Sequence, residues 1–232
     1  MNQITTITFF KYKGIFNKFW ALRMMGLMPL RLKSIAGQSF YRLMGSGQNK
    51  FKPWPNWSVY ALLQVWDNEA SADLFFAESN VIDKFKSKSE HHYTLFLKNI
   101  SAKGSWIGKN PFQRSTSLDP NQNKIAVITR ATIKWNKLFR FWNYVPISRK
   151  DLVHNKGLLY TQGIGTIPFL QMATFSLWKD KEALLEFAYK QPHHAKAITK
   201  TKKLNWYREE LFSRFQPFKS LGNWSDEGLT DF

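Results

Sequence analysis

The sequence predicts an α+β fold: two ferredoxin-like repeats whose open sheets face each other in a pseudo-dimeric α+β barrel, with the helices outside. Three observations carry this. A strand–helix–strand grammar runs through residues 1–109, stops at a polar linker over 110–123, and restarts in 124–218. The two runs also match. ITTITFFKYKGIFNKFW stands beside IAVITRATIKWNKLFRFW, and VWDNEASADLF beside LWKDKEALLEF, in the same order and at strand–helix junctions. Finally, 232 residues with 44% hydrophobic and 16% aromatic content can bury one shared core.

Each element follows from local pattern. Ile4 to Phe10, rich in Thr, Ile and Phe, reads as a strand. Phe16, Phe19, Trp20, Met24, Leu27 and Met28 recur at helical spacing, so Phe16 to Lys33 reads as a helix. Gly45 to Pro55 reads as loop, with Gly45-Ser-Gly47 a short turn, and Ser58 to Trp66 as the second strand. A helix over Glu69 to Phe85 is capped by Asp67 or Asn68, and Tyr93 to Ile100 is the third strand. Asn110 to Asn123 carries two prolines and no apolar period, hence the linker.

After the linker, Lys124 to Ile133 is a strand, and Leu138 to Tyr144 is a short helix or turn ended before Pro146. Leu158 to Gly163 and Gln171 to Trp178 are strands. Asp180 caps a helix through Tyr189, and Pro192 opens another through Leu204. Glu210 to Pro217 is the last strand, and 219–232 reads as a loose tail.

Charge and composition bound the function. Lys and Arg number 34 against 16 acidic residues, a net charge of +18 that favours anionic partners. Cysteine is absent, which excludes disulfides, zinc–thiolate sites, protein-ligated iron–sulfur clusters and a thiolate haem ligand. The most apolar stretch, Phe19 to Leu30, is interrupted by Arg23 and Pro29 and falls short of a membrane span. No signal-peptide pattern is seen. The expected location is cytoplasmic, peripheral on the inner membrane face.

Motifs with known chemistry fail on inspection. Gly163-Ile-Gly165-Thr-Ile-Pro168 opens like a dinucleotide loop, but proline replaces the third glycine and a strand follows, so it reads as a tight turn. No GxSxG and no HExxH occur. Of five histidines, His91, His92 and His154 read as solvated loop residues, while His193 and His194 open a helix after Pro192. Arg130 sits in an otherwise apolar strand. A buried arginine needs an anion, either a carboxylate from a neighbouring element or one from a ligand. Trp54, Trp57, Trp106, Trp135 and Phe141-Trp142 punctuate the loops among basic residues. Such interleaving could stack single-stranded bases, but no RNA-binding signature or recognition helix supports it.

The chain resembles the spheroidene monooxygenase family from about Phe9 to Phe215. In the first half the resemblance rests on Trp20-Ala-Leu-Arg-Met-Met-Gly26, Leu43-Met-Gly-Ser-Gly47, Pro55-Asn-Trp-Ser-Val-Tyr60 and Tyr93-Thr-Leu-Phe-Leu97. In the second it rests on Thr129-Arg-Ala-Thr-Ile133, Gly163-Ile-Gly165 with Pro168, Thr174-Phe-Ser-Leu-Trp178, His194-Ala-Lys-Ala-Ile198 and Glu210-Leu-Phe-Ser-Arg-Phe215.

The resemblance implies a monooxygenase that inserts oxygen from O₂ into an acyclic carotenoid, by hydroxylation or ketolation. It implies haem b as cofactor and an external electron donor of ferredoxin type. An anionic membrane surface suits the substrate, and no nucleic acid is expected. His194 lies in a matched segment and is the expected iron ligand, with His193 next to it and Arg130 a candidate partner for a haem propionate. A haem- or polyene-binding barrel without catalysis is the alternative, and a basic nucleic-acid-binding protein a third.

Overall fold

The computed structural model describes residues 2–48, 52–148, 155–190 and 204–224. Eight antiparallel strands close into a barrel: β1 (Ile4–Lys11), β2 (Gln38–Gln48), β3 (Lys52–Trp66), β4 (His91–Gly104), β5 (Ile125–Ile133), β6 (Leu158–Ile167), β7 (Gln171–Trp178) and β8 (Tyr207–Asn223). The helices are α1 (Ile15–Leu32), α2 (Glu69–Glu78), α3 (Asn80–Lys88), α4 (Leu138–Ser148) and α5 (Lys181–Leu185), the last continued by a wider turn over Glu186–Lys190.

The order around the barrel is β1-β3-β2-β6-β7-β5-β8-β4. Read by halves, this is β4-β1-β3-β2 joined to β6-β7-β5-β8. Each half therefore has the same internal order, fourth-first-third-second, which is the ferredoxin-like arrangement. The halves meet second strand to second, β2 with β6, and fourth to fourth, β4 with β8. No sheet edge is left, so the exposed ladder that an open half would present is gone.

Registers extend the repeat to single residues. Ile4 lies opposite Trp66 and Ile125 opposite Trp178. Both tryptophans end their strands and are buried, and a polar cap then starts the helix that follows. Asn68 accepts from the Ser71 N–H, and Asp180 from the Ala183 N–H.

Several elements differ from the sequence expectation. Gly45 to Pro55 is not a loop, since β2 covers Gln38–Gln48 and β3 starts at Lys52. Gly163 and Gly165 are strand residues too, and the turn comes later, over Pro168–Leu170. Gly45 lies opposite Gly165 at the seam between the halves. A Cβ on Gly165 would stand 2.5 Å from the Gln171 carbonyl oxygen. Here glycine marks close backbone approach within a sheet. The expected helix over Glu69 to Phe85 divides at Ser79, whose extended backbone ends α2 while its hydroxyl accepts from the Val81 N–H and starts α3. The last strand runs on to Asn223, and Trp224 packs on Phe9 and Tyr160. Part of the segment expected to be loose is thus structured. The helix expected from Pro192 lies outside the described residues.

The linker is pinned rather than slack. Gln216 accepts from the Asp119 N–H and donates to the Asp119 carbonyl, each at 2.7 Å. Gln3 accepts from the Gln113 N–H, and Ser115 donates its N–H to the Asn99 carbonyl. Phe112 is buried in the barrel core, edge-to-face on Phe215 at 4.9 Å.

Candidate functional site

Inside the barrel, alternate residues of every strand form one core, including Ile7, Phe9, Leu63, Leu95, Ile128, Phe175 and Phe215. Arg130 belongs to this inward face, two and four residues on from Ile128 and Ala126. It is 2% exposed. Of the two anions that a buried arginine could have, the structure supplies the carboxylate: Arg130 donates to Glu209 and also to the Thr132 hydroxyl. The Trp106 ring lies 5.7 Å from the guanidinium carbon.

Glu209 is the hub of this cluster. Its Oε1 accepts from the Ser105 hydroxyl at 2.9 Å and the Gly108 N–H at 2.7 Å. Burial pushes the carboxyl up, but the Gly108 N–H, Arg130, Ser105 and the Ile107 N–H outweigh it and hold the group down at about 2. The cluster ties β5, β8 and the loop after β4 together.

Outside the barrel the two halves differ. In the first half one continuous cluster joins the sheet to α1, α2 and α3; it includes Phe10, Leu43, Tyr60, Leu62, Phe96 and, from the helices, Met24, Met28, Phe75 and Phe85. In the second half the cover given by the described residues is split. Leu184 and Phe187 pack on Ile125, Val127 and Trp178 at one end of the sheet. Phe141, with Trp142 and Leu138 of α4, packs on Ile133, Met172 and Trp206 at the other.

The gap between these clusters traces to sequence. By register, Ala131 holds the place of Phe10, Gly163 that of Leu43, and Thr174 that of Leu62. Phe10 and Leu62 are fully buried, whereas Ala131, Gly163 and Thr174 are half-buried and Thr129 is exposed. Each exchange removes side-chain volume from the same face. What remains is a stretch of sheet lined by small residues and flanked by Phe212 and Arg214 of β8. The Nε of Arg214 is buried there without a hydrogen-bond partner among the described residues, its guanidinium 5.3 Å from the Phe212 ring. A buried, unpaired donor of this kind is suited to an anion.

An aromatic rim borders the α4 end. The Trp142 indole donates to the Phe169 carbonyl at 3.0 Å, and the rings of Trp142 and Trp54 both meet Phe169 edge-on. Phe169 has φ 65°, a left-handed backbone that a bulky residue adopts only when its surroundings hold it.

The two described histidines lie away from the gap. His91 and His92 begin β4, half-buried, and His92 pairs with Asn223, nine residues along β8 from Arg214. Burial lowers the His92 pKa, and Lys86 and His91 lower it further. No group of three or more His, Asp or Glu is placed to hold a metal among the described residues. His154, His193 and His194 lie outside the described residues. The described chain stops at Lys190, beside the Phe187 cluster, and resumes at Leu204, beside the Phe141 cluster. Sequence reasoning missed Arg214 because a basic residue in an amphipathic strand looks like a solvated one. The lost bulk at Ala131, Gly163 and Thr174 shows only once the registers set each beside its counterpart in the first half.

The chain is 34% identical over 224 residues to a spheroidene monooxygenase of Cereibacter sphaeroides, covering 96% of this chain and 69% of the relative. It is 32% identical over 223 residues to that of Rhodobacter capsulatus, covering 95% and 92%. Among solved structures, an aldoxime dehydratase in complex with butyraldoxime superposes with a TM-score of 0.62 at 10% identity, covering 94% of this chain and 80% of the other. A second aldoxime dehydratase gives 0.60 at 11%. At that identity the likeness is one of fold alone. No family profile matches the chain.

Proposed function

The chain belongs to the spheroidene monooxygenase family, and from that premise we propose that it is an O₂-dependent carotenoid monooxygenase whose cofactor, haem b, lies on the part of the second half's outer face that the described residues leave open. The observation that carries the placement is the gap itself. Ala131, Gly163 and Thr174 stand where the first half buries Phe10, Leu43 and Leu62. A flat macrocycle needs a face without protruding side chains, and these residues provide one.

The donor set fits the group. With no cysteine, an axial ligand must be His, Met or Tyr. His194, with His193 beside it, lies in the interval between Lys190 and Leu204, whose described ends border the gap. His194 is the proposed iron ligand, and Arg214, whose Nε has no partner among the described residues, the proposed propionate partner. Arg130 is already held by Glu209 and faces the barrel interior. Bound haem would supply the one-electron O₂ chemistry that side chains alone do not perform.

The chain's own residues do the rest. Trp142, Phe169 and Trp54 offer an apolar edge on which the end of an acyclic polyene can rest, fixing which carbon is presented. Electrons come from a separate donor. An acidic ferredoxin-type protein complements a chain of +18, and an anionic lipid surface holding the substrate does so equally.

Expression with haem supplied, followed by an absorption spectrum, tests this reading. A Soret band is expected in the wild type and its loss in His194→Ala, with conversion of an acyclic carotenoid under a reduced ferredoxin lost in parallel. A wild type that converts carotenoid without haem overturns the cofactor. A His194→Ala protein with full haem and an unchanged spectrum overturns the ligand.

A further inference from the structure

The outer surface of α1 has no partner among the described residues. Its inner residues, Ala21, Met24, Met28 and Leu32, are buried against the sheet. On the opposite side Ile15 is 78% exposed, Phe16 88%, Phe19 62% and Leu30 80%, with Leu22 and Leu27 also in solvent. These recur at three- and four-residue spacing and form one stripe. A helix that is apolar on both faces is ordinarily covered on both.

Charge identifies what could cover it. The first acidic residue of the chain is Asp67, and nine Lys and Arg precede it. Lys13, Arg23, Arg31 and Lys33 are exposed along or beside the stripe. A groove of about 530 Å³ runs between α1 and α3, with Trp20, Leu27 and Met28 in its wall and Arg31, Lys84 and Lys88 on its rim. Asp83 is the one acid of α3, and Glu90 beyond it is paired with Lys13 at 3.2 Å. The patch is therefore apolar in the middle and positive around it.

We propose that α1, with the basic end of α3, docks the protein on an anionic lipid bilayer, its Phe16–Phe19–Leu30 stripe entering the interface and Arg23, Arg31, Lys84 and Lys88 meeting lipid headgroups. This is the geometry of a helix lying in the membrane plane: an apolar stripe enters the headgroup–acyl boundary while cations bind the anionic surface. Each basic residue near such a surface strengthens binding about fivefold. The inference deepens the reading above by naming its lipid partner, and depends on it only for why a lipid surface is useful. The α1 patch does not include the haem face.

Vesicle co-sedimentation of the full chain tests it, with phosphatidylcholine mixed with phosphatidylglycerol and with phosphatidylcholine alone. Binding is expected for the mixed vesicles only, weakening as salt rises. Arg23→Glu with Arg31→Glu should weaken it by more than tenfold, as about fivefold per charge requires. Phe16→Ser, Phe19→Ser and Leu30→Ser together should abolish it while leaving thermal unfolding unchanged, because these side chains are in solvent. The cysteine-free chain also allows one dye at Phe16→Cys. Its emission should shift to the blue on mixed vesicles, and a dye at Lys103→Cys should not.

Equal binding to neutral vesicles, or full binding by either variant, overturns the proposal. So does a dimer in light scattering that the triple serine variant dissolves, which would assign the stripe to a second copy. Failure here would leave the Soret band and the conversion of detergent-dispersed carotenoid unaffected, so it is distinguishable from failure of the functional reading.

Discussion

Phe9 and Arg130 hold the same place in the two halves of the barrel. Each lies opposite an alanine on the neighbouring strand, Phe9 opposite Ala61 and Arg130 opposite Ala173, and each points into the interior. One half fills the position with an aromatic ring; the other fills it with a cation and must then supply Glu209. The pair locks β5 to β8 and to the loop carrying Ser105 and Gly108.

Removing that carboxylate should be costly. Glu209→Gln leaves Arg130 buried without its counter-charge and is expected to destabilise the fold by about 3–5 kcal/mol. The pH dependence has a definite sign. The folded carboxyl sits at about 2 against an ordinary 4.5, so its contribution is full above about 4.5 and is lost as pH falls toward 2. Urea unfolding between those limits should show a steep acid loss in the wild type. Glu209→Gln should show a shallower one.

Restoring the first half's bulk on the second half's face should block it. Ala131→Phe with Thr174→Leu copies Phe10 and Leu62 onto their register equivalents. Haem retention and carotenoid conversion should fall at least about tenfold, with thermal stability unchanged or raised. A doubly substituted protein with a wild-type spectrum would move the cofactor elsewhere.

The linker should behave as core. Phe112→Ala removes a buried ring that packs on Phe215 and is expected to cost about 3–5 kcal/mol, read as a lower denaturation midpoint in urea. An insertion-tolerant tether would show no such loss.

The two helix caps should be comparable in strength. Asn68→Ala and Asp180→Ala each remove one side-chain acceptor, from the Ser71 and Ala183 N–H groups respectively. Each should lower stability by about 1 kcal/mol. In a chain of this size that is about 2–4 °C in Tm, checked by calorimetry.

Much of the architecture was legible because the repeat keeps its landmarks. Trp66 and Trp178 close equivalent strands, and a polar cap follows each. β2 was hidden because Gly45, Ser46 and Gly47 imitate a turn, and only the neighbouring Gly165 explains them. The division at Ser79 was hidden because apolar spacing continues through Val81, Ile82 and Phe85. Arg130 was recognised as needing an anion, but its partner lies 79 residues away on β8, beyond any local pattern. The outer face of the second half was hidden for a different reason. It is defined by what is missing, and small residues announce nothing until the register sets each one beside its bulky counterpart.

A barrel of two identical halves would have two identical outer faces, and any ligand would bind twice. Joining the halves in one chain, pinned by its linker, separates their fates. Phe10 and Leu62 can be kept for cohesion while Ala131 and Thr174 are kept for access, and a change in one set need not be copied in the other. On the proposed placement, the unequal faces give one cofactor per chain, with half the molecule serving as a scaffold for the other half.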